Sequence, residues 1–326
     1  MENRKLDFIG EVLCPMKAAF NEGYQAVAAE HTKKTGEKWF GYVPTVCGGD
    51  AEEEEAEKLA EELSSIDPKT FPDVVASFGF GDYFHSAFCR HMLGKGCFET
   101  LGWEKRNVAF ENIGIEDPGD EINVLAAYPM VFLVDKRKLG SLPAPRTWAD
   151  LLEPKYKGQI TMSGSHGRPS TTLLMYLYKE FGEDGLSRFE SNVTRAVHPS
   201  EMAKIAGTLR SEATGIYTIM NFFGRARGDS EYTELVWPED GAIFDPAYIL
   251  IKKGMKEKYT PLIEYVAGQG FGQQYADNGF PSACPNVDNK LGEGQKLKWI
   301  GWDFLRKNRI EEIEEALKQR FVKFMA

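Results

Sequence analysis

The sequence predicts an α/β protein of two domains joined by two crossing segments. Its 326 residues exceed what one hydrophobic core usually organises. Short apolar runs alternate with stretches of helical spacing, the signature of α/β layers. Two long apolar runs, Asn123 to Lys136 and Asp240 to Gly254, are each interrupted by a proline. A chain that enters a second domain and returns is therefore expected, bending or leaving its sheet at Pro129 and Pro246. The first domain is expected to be discontinuous, 1–127 plus 243–285, and the second to take 128–242 plus 286–326.

Leu6 to Gly10 reads as a short strand that hands over to a helix within EVLCPMKAAF. Pro15 suits the first helical position, because its fixed φ matches the helix and its missing N–H would have no partner there. Cys14 sits at that junction, with a lipid anchor, a reactive thiolate, a ligand contact and core packing as competing readings. A lipid anchor needs an apolar leader and small residues before the cysteine; Val12 and Leu13 are not small. Further on, Asp50 is placed to cap a helix with Glu53 three residues later. Ala56, Leu59, Ala60 and Leu63 supply its buried stripe, and Glu52 to Glu55 read as its solvated face. Val74 to Ala76 form a buried strand, after which Gly79 and Gly81 mark a turn into a helix. The order recurs in QITMSGSHGRPSTTLLMYLYKEFG: a strand at Ile160 to Met162, a glycine and serine loop, and a helix from about Thr171. In HPSEMAKIAG, Ser200 is expected to cap another helix. Near the end, Trp299 and Trp302 belong to an aromatic turn, followed by an amphipathic helix with Ile310, Ile313, Leu317 and Phe321 on one stripe.

Composition narrows the function. With 42% hydrophobic and 27% charged residues, the chain is ordinary globular protein. A net charge of −10 without a basic stripe argues against nucleic acid as a partner. No apolar run approaches the ~20 residues that span a bilayer. The start, MENRKLDFIGEVLC, lacks the continuous apolar segment of an export signal. The expected location is cytoplasmic, or extracytoplasmic if a signal has been removed. Five scattered cysteines, Cys14, Cys47, Cys89, Cys97 and Cys284, are unlike a disulfide framework and suit a reducing setting.

Standard catalytic signatures are absent: no G-x-S-x-G, no H-E-x-x-H, no G-x-x-x-x-G-K-[ST] and no full G-x-G-x-x-G. No catalytic residue is assigned. His85, Cys89, His91 and Cys97 lie close in sequence, but their spacing matches no zinc pattern, and Phe84, Phe88 and Met92 define a core stripe beside them. No metal ligand is assigned either.

The segments RTWADLLEPKYKGQITMSG (146–164) and PEDGAIFDPAYILIKKG (238–254) resemble the solute-binding proteins of ABC importers. The likeness is to the two-domain group that binds iron(III), polyamines, thiamine and phosphonates. Weaker matches at PDVVAS and LAAYPMVFLVDKRKLG extend it over most of the chain. Cys14-Pro15, His198-Pro199-Ser200 and Trp299-Ile300-Gly301-Trp302-Asp303 are similar to segments of a less characterised branch. The resemblance implies a type II periplasmic-binding-protein-like clamp that closes over a small ligand in the interdomain cleft. It implies a non-catalytic monomer without a cofactor, served by an ABC permease if exported. In the iron(III) binders two tyrosines after an asparagine supply phenolate ligands; here Asn221 is followed by Phe222 and Phe223, which have no oxygen to coordinate a hard cation. The expected ligand is thus a small anion or a metal held in a chelator. The loop of Ser163, Gly164, Ser165, His166 and Arg168 aligns with an anion-contacting loop. Its chemistry agrees, since glycines let backbone approach a ligand and helix N–H groups bind oxyanions. Cys14, Ser77, Phe78, Gly79, His198 and Asp245 complete the expected ligand contacts. The alternative is a cytoplasmic enzyme or metallocofactor-handling protein that reuses the fold.

Overall fold

The computed structural model describes residues 5–44, 66–165 and 167–325. The acidic helix expected from Asp50, Cys47 and His166 lie outside these residues. The chain divides into unit 1, Met1–Ala126 with Pro246–Asn289, and unit 2, Ala127–Asp245 with Lys290–Ala326.

Unit 1 begins with strand β1 (Phe8–Gly10), a single 3-10 turn at Cys14–Met16 and helix α1 (Lys17–Thr35). Strands β2 (Gly41–Tyr42) and β3 (Val74–Phe78) flank β1 in parallel, with Phe8 registered to both Gly41 and Val74. Helix α2 (Ser86–His91) follows, and Phe84, Phe88 and Met92 are buried beside it as their spacing predicts. Strand β4 (Asn123–Asp135) then carries the chain out of unit 1.

Unit 2 continues with β5 (Ile160–Ser165), the short β6 (Arg168–Pro169) and α3 (Thr171–Asn192), which is interrupted at Gly182. Next come β7 (Val193–Val197), α4 (Pro199–Ile205), β8 (Ile216–Met220), α5 (Asn221–Arg227) and β9 (Thr233–Val236). Its sheet runs β9-β4-β8-β5-β7, with β5, β7 and β8 parallel and β4 antiparallel to β8. Val131, Leu133, Val197, Met202, Ile205, Tyr217 and Ile219 form a fully buried cluster under α4. Strand β10 (Ala242–Lys252) returns to unit 1, where α6 (Thr260–Ala267) and α7 (Gln269–Asp277) pack. Strand β11 (Leu297–Lys298), α8 (Trp302–Lys307) and α9 (Ile310–Phe321) complete unit 2. Trp299 and Trp302 are buried, Trp299 stacking on Phe244 at 5.4 Å, so this aromatic turn is core. No described helix is long and apolar enough to cross a membrane.

One expectation holds in part and two are corrected. First, each crossing run changes its partner strands at its proline, yet runs on as a single strand: β4 is buried along its whole length and β10 continues through Pro246. Each proline falls where a strand exchanges one ladder for another. Pro129 lies between Ala126, bridged to Ser282, and Met130, paired with Met220. Pro246 lies between Ile243, paired with Lys298, and Ala247, paired with Phe78. The missing N–H is tolerated in such a gap. Second, strand β5 extends to Ser165 and folds back on β6, so half of the expected glycine and serine loop is hairpin. Third, the buried stripe of α9 is Ile310, Glu314, Leu317 and Phe321, with Glu314 in place of Ile313. A carboxylate on that stripe needs a polar partner, and it has one in the site of unit 2.

Candidate functional site

Parallel strands point their carboxyl ends the same way, and in open α/β sheets ligands collect there. In unit 2 the register of Ser163 with Val197, and of Met162 with Thr218, brings the ends of β5, β7 and β8 to one edge. Three helices begin on that edge, at Thr171, Pro199 and Asn221.

At the first of them the hydroxyls face carboxylates. Thr172 donates to Asp245 at 2.5 Å, and Thr171 donates to the buried Glu314 at 2.8 Å. The positive end of the 22-residue α3 is thus already counter-charged from within the unit. Asp245 is the one residue between Ala242 and Ile251 that is not fully buried. Desolvation raises its pKa to about 6; the Thr172 bond opposes this and the charge of Glu314 adds to it.

A carboxyl whose folded pKa lies above its unfolded value favours the fold while protonated, and that contribution disappears as pH rises through about 6. Asp245→Asn keeps an acceptor for Thr172 and removes the charge. At pH 8 it should stabilise the protein by about 1–2 kcal/mol, allowing for partial exposure, and should flatten stability between pH 4 and 7. Urea unfolding of both proteins at pH 5 and pH 8 checks this. Parallel pH curves for variant and wild type would contradict it.

The remaining loop residues divide by role. Ser163 is buried and donates to the Thr218 carbonyl at 2.8 Å, which ties β5 to β8. Gly164 packs closely: a Cβ there would lie 2.7 Å from the Met325 sulfur, the end of a side chain that can shift, and 3.1 Å from the Arg168 carbonyl. Ser165 is half-buried and pairs with Arg168, whose side chain is exposed.

At the second helix start, the cap is His198 and not Ser200, a correction to the sequence reading. His198 Nδ1 accepts the Ser200 N–H at 3.1 Å, and Ser200 Oγ stands 2.7 Å from the same nitrogen. At the third, Asn221 is buried and Phe222 and Phe223 are half-buried. Phe223 meets His198 edge to face at 5.7 Å and Phe222 at 5.1 Å, while also packing on the cluster under α4. The structure therefore brings His198, Phe222 and Phe223 together.

Unit 1 has its own carboxyl edge, where β1, β2 and β3 end. Ser77 is buried and donates to Glu11 at 2.7 Å. Phe78 is half-buried, and Gly79, at φ +76°, donates its N–H to the Pro246 carbonyl at 2.9 Å. A positive φ of that size is strained for any residue with a Cβ. Cys14 opens the 3-10 turn and is exposed, which removes core packing as its explanation. Among the described residues no group of three His, Cys, Asp or Glu is placed to hold a metal ion.

Sequence reasoning missed Glu11, Thr171, Thr172 and Glu314. Glu11 carried a signal, since a carboxylate directly after a buried strand lies on the ligand edge of a parallel sheet. Glu314 carried another, as the one charged residue at i+4 from Ile310 and i−3 from Leu317.

The sequence profile of the family described as bacterial extracellular solute-binding protein matches residues 69–308. No curated protein matches the sequence significantly. Among solved structures, the chain is similar to the apo ferric ion-binding protein A of Pasteurella haemolytica, with a TM-score of 0.62 at 16% identity over 98% of each chain. It is similar to the IdiA (FutA) protein of Trichodesmium in complex with iron and citrate, with a TM-score of 0.60 at 15% identity over 97% of this chain and 96% of that one. A third likeness is to the periplasmic binding protein AfuA of Actinobacillus pleuropneumoniae with fructose-6-phosphate bound, with a TM-score of 0.56 at 16% identity over 99% of each chain.

Proposed function

We propose, from the premise that the chain belongs to the bacterial extracellular solute-binding protein family, that it is the non-catalytic capture component of an ABC-type importer. It works as a monomer outside the cytoplasmic membrane and delivers its ligand to a permease. The ligand is a small organic anion of low charge, or a metal carried inside an organic chelator.

The observation that carries this reading is the shared edge of β5, β7 and β8, where Thr172, His198, Asn221, Phe222 and Phe223 collect. Phenyl rings offer flat apolar area but no oxygen for a bare ferric ion. Asp245 and Glu314 already complement the start of α3, so a multiply charged oxyanion would meet repulsion there. A monoanion, or a chelate whose charge is largely neutralised, meets less. The related structures with iron and citrate, and with fructose-6-phosphate, illustrate how varied the ligands on this fold are.

Thermal-shift measurements with monocarboxylates, phosphate, sugar phosphates, ferric citrate, ferric ion, thiamine and spermidine test the reading. A ligand at a hundred times its dissociation constant adds ~2.7 kcal/mol of stability, so a rise of several degrees is expected with a monoanion or with ferric citrate. Stabilisation by uncomplexed ferric ion alone would contradict the ligand class. No stabilisation by any compound would contradict solute capture.

A further inference from the structure

We propose that Glu121, buried in unit 1, is the anionic ligand of an alkali-metal ion, sodium or potassium, held beside Gly94. Glu121 takes no part in the capture edge of unit 2, and the ion would serve the stability of unit 1.

Glu121 stands two residues before β4 and is only 3% exposed. Its two oxygens are served unequally. Oε2 accepts the Gly94 N–H at 2.5 Å, whereas Oε1 is buried and has no hydrogen-bond partner. No lysine or arginine among the described residues pairs with this carboxylate: Arg106, whose charge also reaches Asp120, pairs with the exposed Glu116 at 3.5 Å. Asp117, in the same turn and also buried, is treated differently. Its oxygens accept the N–H groups of Gly119 at 3.3 Å and of Glu121 and Ile122 at 3.0 Å each. The turn that positions Glu121 thus compensates one buried carboxylate and leaves half of the other bare.

Buried polar atoms are nearly always paired, and an unpaired carboxylate oxygen is among the costliest exceptions. Protonation would remove the charge but leave the same oxygen without a partner. A water would supply a hydrogen bond and no charge. A cation supplies both what the oxygen and what the charge require. Among the described residues no three His, Cys, Asp or Glu side chains converge to hold a metal, so the site has one carboxylate, completed by neutral oxygens from backbone carbonyls and water. Calcium sites gain affinity from their count of carboxylates, and zinc sites from His and Cys, so a single carboxylate suits neither. One negative charge is balanced by one positive charge, and oxygen ligands suit a hard ion. Gly94, at φ +71°, is exposed, and a Cβ in its place would meet nothing within 4 Å. An ion therefore reaches the carboxylate from the surface without unfolding the turn.

The test is thermal unfolding of wild type and Glu121→Gln in sodium, potassium, calcium and choline chloride at one ionic strength, choline being too large for such a site. Wild type should melt about 2–4 degrees higher in one of the alkali chlorides than in choline chloride, the shift given by a ligand at about ten times its dissociation constant. Glu121→Gln keeps the shape and an acceptor for the Gly94 N–H. It should show no alkali shift, and in choline chloride it should melt no lower than wild type, because the unpaired charge is gone. A purely structural glutamate would instead give a variant that melts lower in every salt, which would overturn the proposal. Amide hydrogen exchange on wild type locates the ion without any variant: the effective alkali ion should protect peptides covering 93–97 and 117–123 relative to choline. Equal melting of wild type in all four salts, an alkali shift retained by Glu121→Gln, stabilisation by calcium alone, or protection confined to other segments would each overturn it.

Discussion

Replacing Trp148 with alanine should destabilise unit 2 by about 3–5 kcal/mol. The indole is 2% exposed, meets Phe132 edge to face at 4.7 Å, and donates Nε1–H to the Gly241 carbonyl at 2.8 Å. Truncation removes a large apolar volume and also leaves a buried carbonyl without its donor, two costs that add. Gly241 immediately precedes β10, so the same side chain fixes where that strand begins. Trp148→Phe, which retains most of the volume and loses the N–H, should cost roughly half as much. Denaturant unfolding of the three proteins measures both differences. A loss below about 1 kcal/mol for the alanine variant would mean that the site collapses around the gap.

The second large effect belongs to unit 1. Tyr259→Phe should cost about 2–4 kcal/mol, although it deletes one oxygen. Tyr259 is fully buried, and its hydroxyl lies 2.5 Å from Asp7 and 2.9 Å from Asp73, with Lys258 donating to it at 3.0 Å. Lys5 pairs with Asp73, and Lys252 approaches it at 3.8 Å. Asp7 and Asp73 immediately precede the paired strands β1 and β3, so the hydroxyl ties two strand starts together through their carboxylates. Burial, and the two carboxylates that the hydroxyl serves, push the Tyr259 pKa far above its usual value, so it remains a donor at every accessible pH. Without it, two carboxylates face a phenyl ring and charge-assisted bonds are lost. Thermal unfolding checks the prediction. A change in melting temperature of less than two degrees would show that the lysines alone satisfy the pair.

Much of the fold was legible because apolar periodicity and turn chemistry are local. The alternation at Val74 and at Ile160, the helix from Thr171 and the core aromatics at Trp299 and Trp302 all follow from neighbours in sequence. The prolines marked where each run changes partners but not that the strand continues, because a strand's tolerance for proline depends on what it pairs with. Glu314 was hidden for the same reason: its burial depends on Thr171, 143 residues away. Within the site, residue types were legible and roles were not. Ser163 and Gly164 suit a ligand loop in sequence, yet one bonds the Thr218 carbonyl and the other makes room for Met325. The meeting of His198 with Phe223 depends on the register of β7 and β8 against β5, which no local pattern encodes.

If the chain captures a solute as proposed, the carboxyl edge of β5, β7 and β8 holds it. Amide hydrogen exchange, with and without the compound that raises the melting temperature most, tests it directly. Exchange should slow in peptides covering 163–173, 198–203 and 221–225, with the opposite ends of the same strands unchanged. Protection confined to other segments, with these three exchanging as in the free protein, would contradict it.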